Sequence, residues 1–134
     1  MDKFMASCRC GKVEISFSLP VTRVVQCHCQ SCRKMQGSDY STWIAVADQQ
    51  FSIDSGSEYI STYEFTELST KNFCSHCGTA VYGINGKHFK KHKMIPLGIV
   101  ENYSADIKPQ FQVYTENKAE WVSLHEGVPV FEVK

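Results

Sequence analysis

Seven cysteines carry most of the chemistry available to this 134-residue chain. They follow the spacings C-x-C, C-x-C-x-x-C and C-x-x-C, at Cys8 and Cys10, at Cys27, Cys29 and Cys32, and at Cys74 and Cys77. Cysteines this close in sequence rarely have the Cα separation and Cβ directions of an unstrained disulfide. A short turn can instead aim two sulfurs at one ion, and thiolates are common zinc ligands. The pattern predicts zinc binding, because a disulfide framework would also leave one of seven thiols unpaired.

The seven thiolates divide naturally into a group of four and a group of three. A closed site of four cysteines is structural, whereas three protein ligands leave a position open for water or substrate. Cys27, Cys29 and Cys32 can form an open site by themselves, and the two outer pairs would then form a closed one. A zinc ribbon joining the 29/32 pair to the 74/77 pair is the alternative, although its 41-residue spacer exceeds the usual ~15–20 residues. Spacing favours the first division and leaves the second open.

Length and composition describe the domain that must hold these sites. The length predicts one domain, 1–134, and 43% hydrophobic with 21% charged residues excludes a disordered chain. Fourteen basic residues balance fourteen acidic ones, so net charge gives no argument for binding nucleic acid or an anionic membrane. No apolar run is long enough to span a membrane, and Met1–Phe4 has no apolar stretch of signal-peptide length. We therefore expect a cytoplasmic protein with reduced thiols.

Short segments with strand-like patterns predict a mainly β fold with zinc knuckles at its loops. Strands are expected at 13–17, 22–26, 43–47, 51–53, 59–65, 78–82, 94–100, 111–115 and 128–133. Residues 31–36, closed by Gly37, predict one short helical turn with a glycine stop.

Three cysteine-containing motifs resemble the glutathione-dependent formaldehyde-activating enzyme family. The matching stretches are C-R-C-G-K-V at 8–13, C-H-C-Q-S-C-R-K-M-Q-G-S at 27–38 and F-C-S-H-C-G-T at 73–79. Their order along the chain is far more specific than a lone C-x-x-C, and the resemblance covers about residues 4–124. The chain resembles a short member of the family, since the namesake enzymes are longer.

The resemblance implies a fold, two zinc ions and a reaction. The fold would be a β-tent of antiparallel sheets. The structural zinc would be held by Cys8, Cys10, Cys74 and Cys77, and the catalytic zinc by Cys27, Cys29 and Cys32. The implied activity is that of a carbon–sulfur lyase, which joins or cleaves glutathione, or a similar thiol, and formaldehyde.

One departure from the family pattern lies near the C-terminus. The family often has a proline, a histidine three residues later, and then a strand and a tryptophan. Pro109 and Trp121 fit this pattern, but Gln112 stands at the histidine position.

Three thiolates around Zn²⁺ give a site with a charge of about −1, which acidifies a bound water less than a neutral ligand set would. An open position beside soft ligands instead suits a substrate thiol. We hypothesise that a small thiol binds there and attacks an electrophile such as an aldehyde. Arg33, directly after the third ligand, is a candidate for binding substrate carboxylates, because arginine can contact them through two hydrogen bonds; a solvated helix face is the alternative.

Three further interpretations remain open from the sequence. Four lysines and two histidines surround Phe89 at 87–93, a pattern that can contact phosphate backbones but is also typical of a solvated hairpin loop. The second interpretation is a non-catalytic zinc-binding module that binds protein or nucleic acid. A redox sensor, in which oxidation of the open cysteine cluster releases the metal, is a third.

Overall fold

The computed structural model describes residues 3–102 and 107–133, and the domain prediction of 1–134 therefore includes residues outside those ranges. Within the described part, short strands dominate, as the sequence predicts. They are β1 (Lys3–Ser7), β2 (Glu14–Ser18), β3 (Arg23–Cys27), β4 (Ser41–Ala47), β5 (Phe51–Ser55), β6 (Ile60–Thr66), β7 (Ser69–Cys74), β8 (Ala80–Asn85), β9 (His92–Pro96), β10 (Phe111–Val113) and β11 (Val130–Phe131). A single α-helix, α1 (Gln30–Gln36), follows β3. The prediction of a mainly β fold is confirmed.

The strands form two sheets. The small sheet has the order β1-β2-β5, and the large sheet has the order β11-β10-β3-β4-β9-β8-β7-β6. The pairs are antiparallel except at β10, which runs parallel to both β3 and β11. The parallel pairing of β10 differs from the antiparallel sheets that the family resemblance implies.

One face of the large sheet forms the core with the small sheet. Val24, Ile44 and Ile95 pair side by side across β3, β4 and β9 and are 0–1% exposed. They belong to the same apolar cluster as Ile15 and Phe17 of β2. Burying each of these side chains is worth about 1.5–3 kcal/mol. Because side chains alternate along a strand, this packing turns the neighbouring residues to the opposite face.

Backbone chemistry sets the ends of the elements near the cysteines. Cys29 is the N-cap of α1, and Gly37 adopts a left-handed conformation (φ 63°) that ends the helix, as predicted. The strand expected at 94–100 ends at Pro96 and continues as a 3₁₀ turn, Leu97–Ile99. Within 3–102 and 107–133, every helical segment is too short or too polar to cross a membrane.

Candidate metal centres and the cavity beside them

The three-cysteine site (Cys27, Cys29 and Cys32) lies where β3 passes into α1. Cys27 ends β3, and Cys29 Sγ accepts a hydrogen bond of 3.3 Å from the backbone N–H of Cys32 in the first helical turn. The three Sγ atoms lie within 4.8 Å of one another. A strand end and a helix cap therefore bring together three sulfurs that are close in sequence.

These sulfurs control one another's protonation. Hydrogen bonds from Cys27, and secondarily from Cys32, lower the pKa of Cys29 to about 2. The contact with Cys29 raises the pKa of Cys27 to about 12, and contacts with Cys27 and Cys29 raise the pKa of Cys32. Without a cation, one thiolate is stabilised by two neighbouring thiols. Ionisation of all three sulfurs requires a positive ion among them.

The four-cysteine site (Cys8, Cys10, Cys74 and Cys77) joins two turns that are distant in sequence. Cys10 Sγ lies 3.5 Å from Cys8 Sγ and 3.8 Å from Cys74 Sγ, and all four sulfurs lie within 4.8 Å of one another. The Thr79 hydroxyl, 3.2 Å from Cys77 Sγ, lowers the pKa of Cys77 to about 5. The same hydroxyl accepts a 3.0 Å hydrogen bond from the backbone of Arg9 and so links the two turns.

Sulfur geometry and ligand chemistry both fit zinc. A tetrahedral ion with zinc–sulfur bonds of about 2.3 Å has its sulfurs about 3.8 Å apart. The Sγ–Sγ distances of 3.5 and 3.8 Å in the four-cysteine site match that spacing, whereas a disulfide needs about 2.05 Å. All seven cysteines are free thiols, so each can act as a ligand.

The two sites differ in what surrounds them. The three-cysteine site lines a cavity of about 990 Å³, and no residue of the four-cysteine site lines this cavity. Cys8 and Cys74 are instead buried against the core. The geometry supports a closed site with four ligands and an open site with three, the division that spacing favours over the zinc ribbon.

The cavity is built from the second face of the large sheet. Val25 pairs with both Trp43 and Phe111, Cys27 pairs with Val113, and Met94 pairs with Gly83. All seven line the cavity. Three cationic residues also line the cavity, and we call them its rim: Arg23, Lys71 and Lys87. Sequence reasoning placed Lys87 in the basic cluster at 87–93 but missed Arg23 and Lys71, since their shared location depends on the register of strands far apart in the chain.

Tyr114 is a further residue that sequence reasoning missed. It directly follows β10, adopts a left-handed conformation (φ 54°) that is uncommon for non-glycine residues, and lines the cavity. Burial, with a further contribution from the charges of the three-cysteine site, raises the pKa of Tyr114. Its phenol therefore keeps its proton at neutral pH, and no residue of the described chain forms a hydrogen bond with it.

Arg33, which the sequence analysis predicts to bind substrate carboxylates, lies on α1 but is not among the residues that line the cavity. Its Nη1 donates a 3.0 Å hydrogen bond to the backbone carbonyl of Asn117, close in sequence to Tyr114. Its Nε is buried and has no hydrogen-bond partner within the described residues. The role of Arg33 in binding substrate stays a prediction, and its observed contact is with the segment after β10.

His28, between two of the ligands, is buried, and its ring lies 5.0 Å from that of Tyr40. Burial lowers the pKa of His28, which keeps the ring neutral. Its backbone N–H donates a 3.1 Å hydrogen bond to Val113, so it anchors β3 to β10.

The basic cluster at 87–93 divides between two environments. Lys87, His88 and Phe89 line the cavity. Lys93 instead forms a 2.7 Å ion pair with Asp48, and His92 Nε2 lies 2.8 Å from the Thr22 hydroxyl. Part of the cluster is therefore tied to neighbouring strands, and part of it belongs to the rim of the cavity.

Gln112, at the position of the family histidine, is 1% exposed and holds the C-terminal segment. Its Nε2 donates to the carbonyls of His125 (3.2 Å) and Val128 (2.9 Å), and its Oε1 accepts from the backbone of His125 (2.9 Å). These bonds place β11, and with it Phe131, beside the cavity.

A protein-family model described as glutathione-dependent formaldehyde-activating enzyme matches residues 3–117. The chain belongs to this family. The match includes both cysteine sites, and the family resemblance of the three motifs is thereby confirmed.

Two relatives and one solved structure are similar to the chain. A Talaromyces marneffei protein named after the family is 25% identical over 130 residues, which cover 94% of this chain and 68% of that protein. An uncharacterized lyase of Schizosaccharomyces pombe is 26% identical over 90 residues, covering 66% of this chain and 64% of that protein. The chain thus spans about two thirds of the length of these relatives. A crystal structure of a Rhodobacter sphaeroides protein has the same fold, with a TM-score of 0.63 at 21% identity, covering 75% of this chain and 91% of the other.

Proposed function

We propose that this protein is a zinc-dependent carbon–sulfur lyase, which joins or cleaves a glutathione-like thiol and an aldehyde at the three-cysteine site. The observation that carries the proposal is the position of that site. Three thiol ligands lie within 4.8 Å of one another at the wall of a cavity of about 990 Å³, so a fourth ligand can enter from the cavity. Membership of the family and the lyase name of one relative support the same reaction class.

Two zinc ions per chain would be held by the two sites. The four-cysteine site would hold a structural ion, which ties the turn after β1 to the turn after β7. The three-cysteine site would hold the second ion, which supplies Lewis acidity and stabilises the thiolate form of a bound thiol. The reduced state that both sites need is consistent with a cytoplasmic location, which we propose from the free cysteines and the sequence.

The residues of the chain would position the two substrates. Arg23, Lys71 and Lys87 at the rim are suited to binding the carboxylates of a thiol such as glutathione. Lys71 is held in place by a 2.8 Å hydrogen bond to the carbonyl of Met35. Arg33 is a further candidate for this role, although its observed hydrogen bond is to the chain after Tyr114.

Tyr114 would supply the proton that the reaction needs. In the joining direction the thiol loses its proton, its sulfur forms a bond to the carbonyl carbon, and the carbon–oxygen π bond breaks. The oxygen must then take up a proton to become a hydroxyl. A protonated phenol in the same cavity can donate it and recover a proton from solvent. The cleaving direction reverses each of these steps.

Two serine variants test the proposal. Cys29→Ser should lose one of two zinc ions, keep the melting temperature of the fold within a few degrees, and abolish glutathione binding measured by calorimetry. Cys74→Ser should lose the other ion and unfold, because a structural zinc contributes directly to folding. Unfolding of Cys29→Ser, together with a wild-type protein that binds no thiol, would support the non-catalytic zinc module instead.

A further inference from the structure

The face of the large sheet that lines the cavity is apolar. Its Val25, Met94 and Val113 are 6–9% exposed and lie outside the core cluster, whereas Phe131 is 57% exposed. Side chains on this face include Val25, Trp43, Met94, Phe111, Val113 and Phe131. They occupy neighbouring register positions across β11, β10, β3, β4 and β9, so they form one continuous surface beside the three-cysteine site. Burial of such a surface by a ligand is favourable in proportion to its apolar area.

Neither of the family's namesake substrates matches this surface. Formaldehyde has two non-hydrogen atoms, and a cavity of about 990 Å³ lies at the upper end of the ~300–1,000 Å³ that drug-sized ligands occupy. A tripeptide thiol is charged and polar, so its carboxylates fit the cations of the rim rather than the sheet face. The sheet face therefore fits neither of these two substrates, and an apolar group would match it.

The aromatic side chains at the edge of the cavity extend the same surface outward. Phe111 packs against Phe131, with ring centroids 5.9 Å apart, and the Arg23 guanidinium lies 5.8 Å from the Phe111 ring. On the opposite side, the exposed Phe65 and Leu68 also line the cavity. A cation therefore lies next to an apolar wall, as a ligand with one charged part and one apolar part requires.

Resting on the function proposed above, we infer that the aldehyde substrate carries an apolar group, a medium-length alkyl chain or an aryl ring, which lies on this sheet face. The thiol sulfur bonds to the aldehyde carbon, the carbonyl π bond breaks, and the proton lost by the thiol is balanced by the proton gained by the oxygen. No oxidant or reductant is needed. In the adduct, the polar part that comes from the thiol lies at the cations of the rim. The alkyl or aryl group that comes from the aldehyde lies along Val25, Trp43 and Phe111.

Stable thioethers test this inference by binding, without any turnover. S-methylglutathione and S-hexylglutathione share the charged part and differ only in the alkyl chain. Each methylene that leaves water for the sheet face should tighten binding by about fourfold. Calorimetric titration of the zinc-loaded protein should therefore give S-hexylglutathione an affinity at least ~30-fold higher than S-methylglutathione. Affinities within ~3-fold of each other would overturn the inference.

Adjacent residues of β11 provide a matched pair of variants. Phe131 and Val130 are similarly exposed (57% and 51%), but only Phe131 lines the cavity. Phe131→Ser should weaken binding of the hexyl compound by about threefold or more and leave the methyl compound unchanged. Val130→Ser should change neither affinity. Equal losses in both variants, or equal losses for both compounds, would contradict a contact between the chain and this face.

The outcomes separate this inference from the proposed function. If glutathione binds at the metal and both thioethers bind equally, the lyase proposal stands and the apolar aldehyde is wrong. If neither thioether binds and glutathione leaves the metal coordination unchanged, the proposed function fails, and the inference fails with it. Turnover gives a second readout, since adduct formation with hexanal should exceed that with formaldehyde in kcat/KM.

Discussion

Replacement of Gln112 by leucine should loosen the C-terminal segment and lower the stability of the protein. The amide makes three hydrogen bonds, to the carbonyls of His125 and Val128 and from the backbone N–H of His125, and it is 1% exposed. Leucine has a similar size but can make none of these bonds. At about 1 kcal/mol of net stability per hydrogen bond, the loss is about 3 kcal/mol.

Thermal unfolding of the zinc-loaded protein measures this loss. For a domain of this size, 3 kcal/mol corresponds to a melting temperature lower by about 10 °C. Amide hydrogen exchange should also show faster exchange at 125–131, because the ladder of β11 within the described residues has two residue pairs, at Gln112 and Val113. Gln49→Leu is the control, since Gln49 is exposed and should shift stability by less than ~0.5 kcal/mol. A melting temperature within ~2 °C of wild type, with exchange at 125–131 unchanged, would refute the reasoning.

Four other substitutions test further contacts. Gly56→Ala should destabilise the fold by more than about 2 kcal/mol in thermal unfolding. Gly56 has φ +82°, and an added Cβ would lie 1.9 Å from the carbonyl oxygen of Lys12. Near-wild-type stability would contradict this turn geometry. Tyr114→Phe should lower kcat for adduct formation by about 100-fold with little change in KM, if the phenol donates the proton; an unchanged kcat would exclude that role. Lys71→Met should raise KM for glutathione but not for a thiol without carboxylates. Arg33→Met should raise KM for glutathione in the same selective way only if Arg33 contacts substrate. A fall in kcat alone for Arg33→Met would instead indicate that it positions the chain after Tyr114 through Asn117.

The local features of the fold were predictable from the sequence. Cysteine spacing brings Cys27, Cys29 and Cys32 together because a strand end and one helical turn cover only six residues. The glycine stop at Gly37 follows from its ability to adopt a positive φ. The strand at β2 is visible as an alternation, because its apolar residues Ile15 and Phe17 belong to the core cluster, although Ser16 between them is buried as well.

The cavity was not predictable from the sequence, because it depends on pairing between distant strands. Arg23 and Lys71 lie on β3 and β7, and only the order of the eight-stranded sheet places both at one rim. β7 itself carries Thr70, Lys71 and Asn72 among its central residues, so hydrophobic periodicity does not mark it as a strand. The parallel pairing of β10 and the buried amide of Gln112 also depend on a return of the chain over a long sequence separation.

X-ray absorption at the zinc edge, combined with metal stoichiometry, tests the central claim most directly. We expect two zinc ions per chain, one with four sulfur ligands and one with three sulfurs and an exchangeable ligand. Titration with glutathione should replace that ligand by a fourth sulfur and raise the average sulfur coordination from about 3.5 to about 4 per zinc. Unchanged coordination at saturating glutathione, or a single zinc per chain, would contradict an open site that binds a substrate thiol.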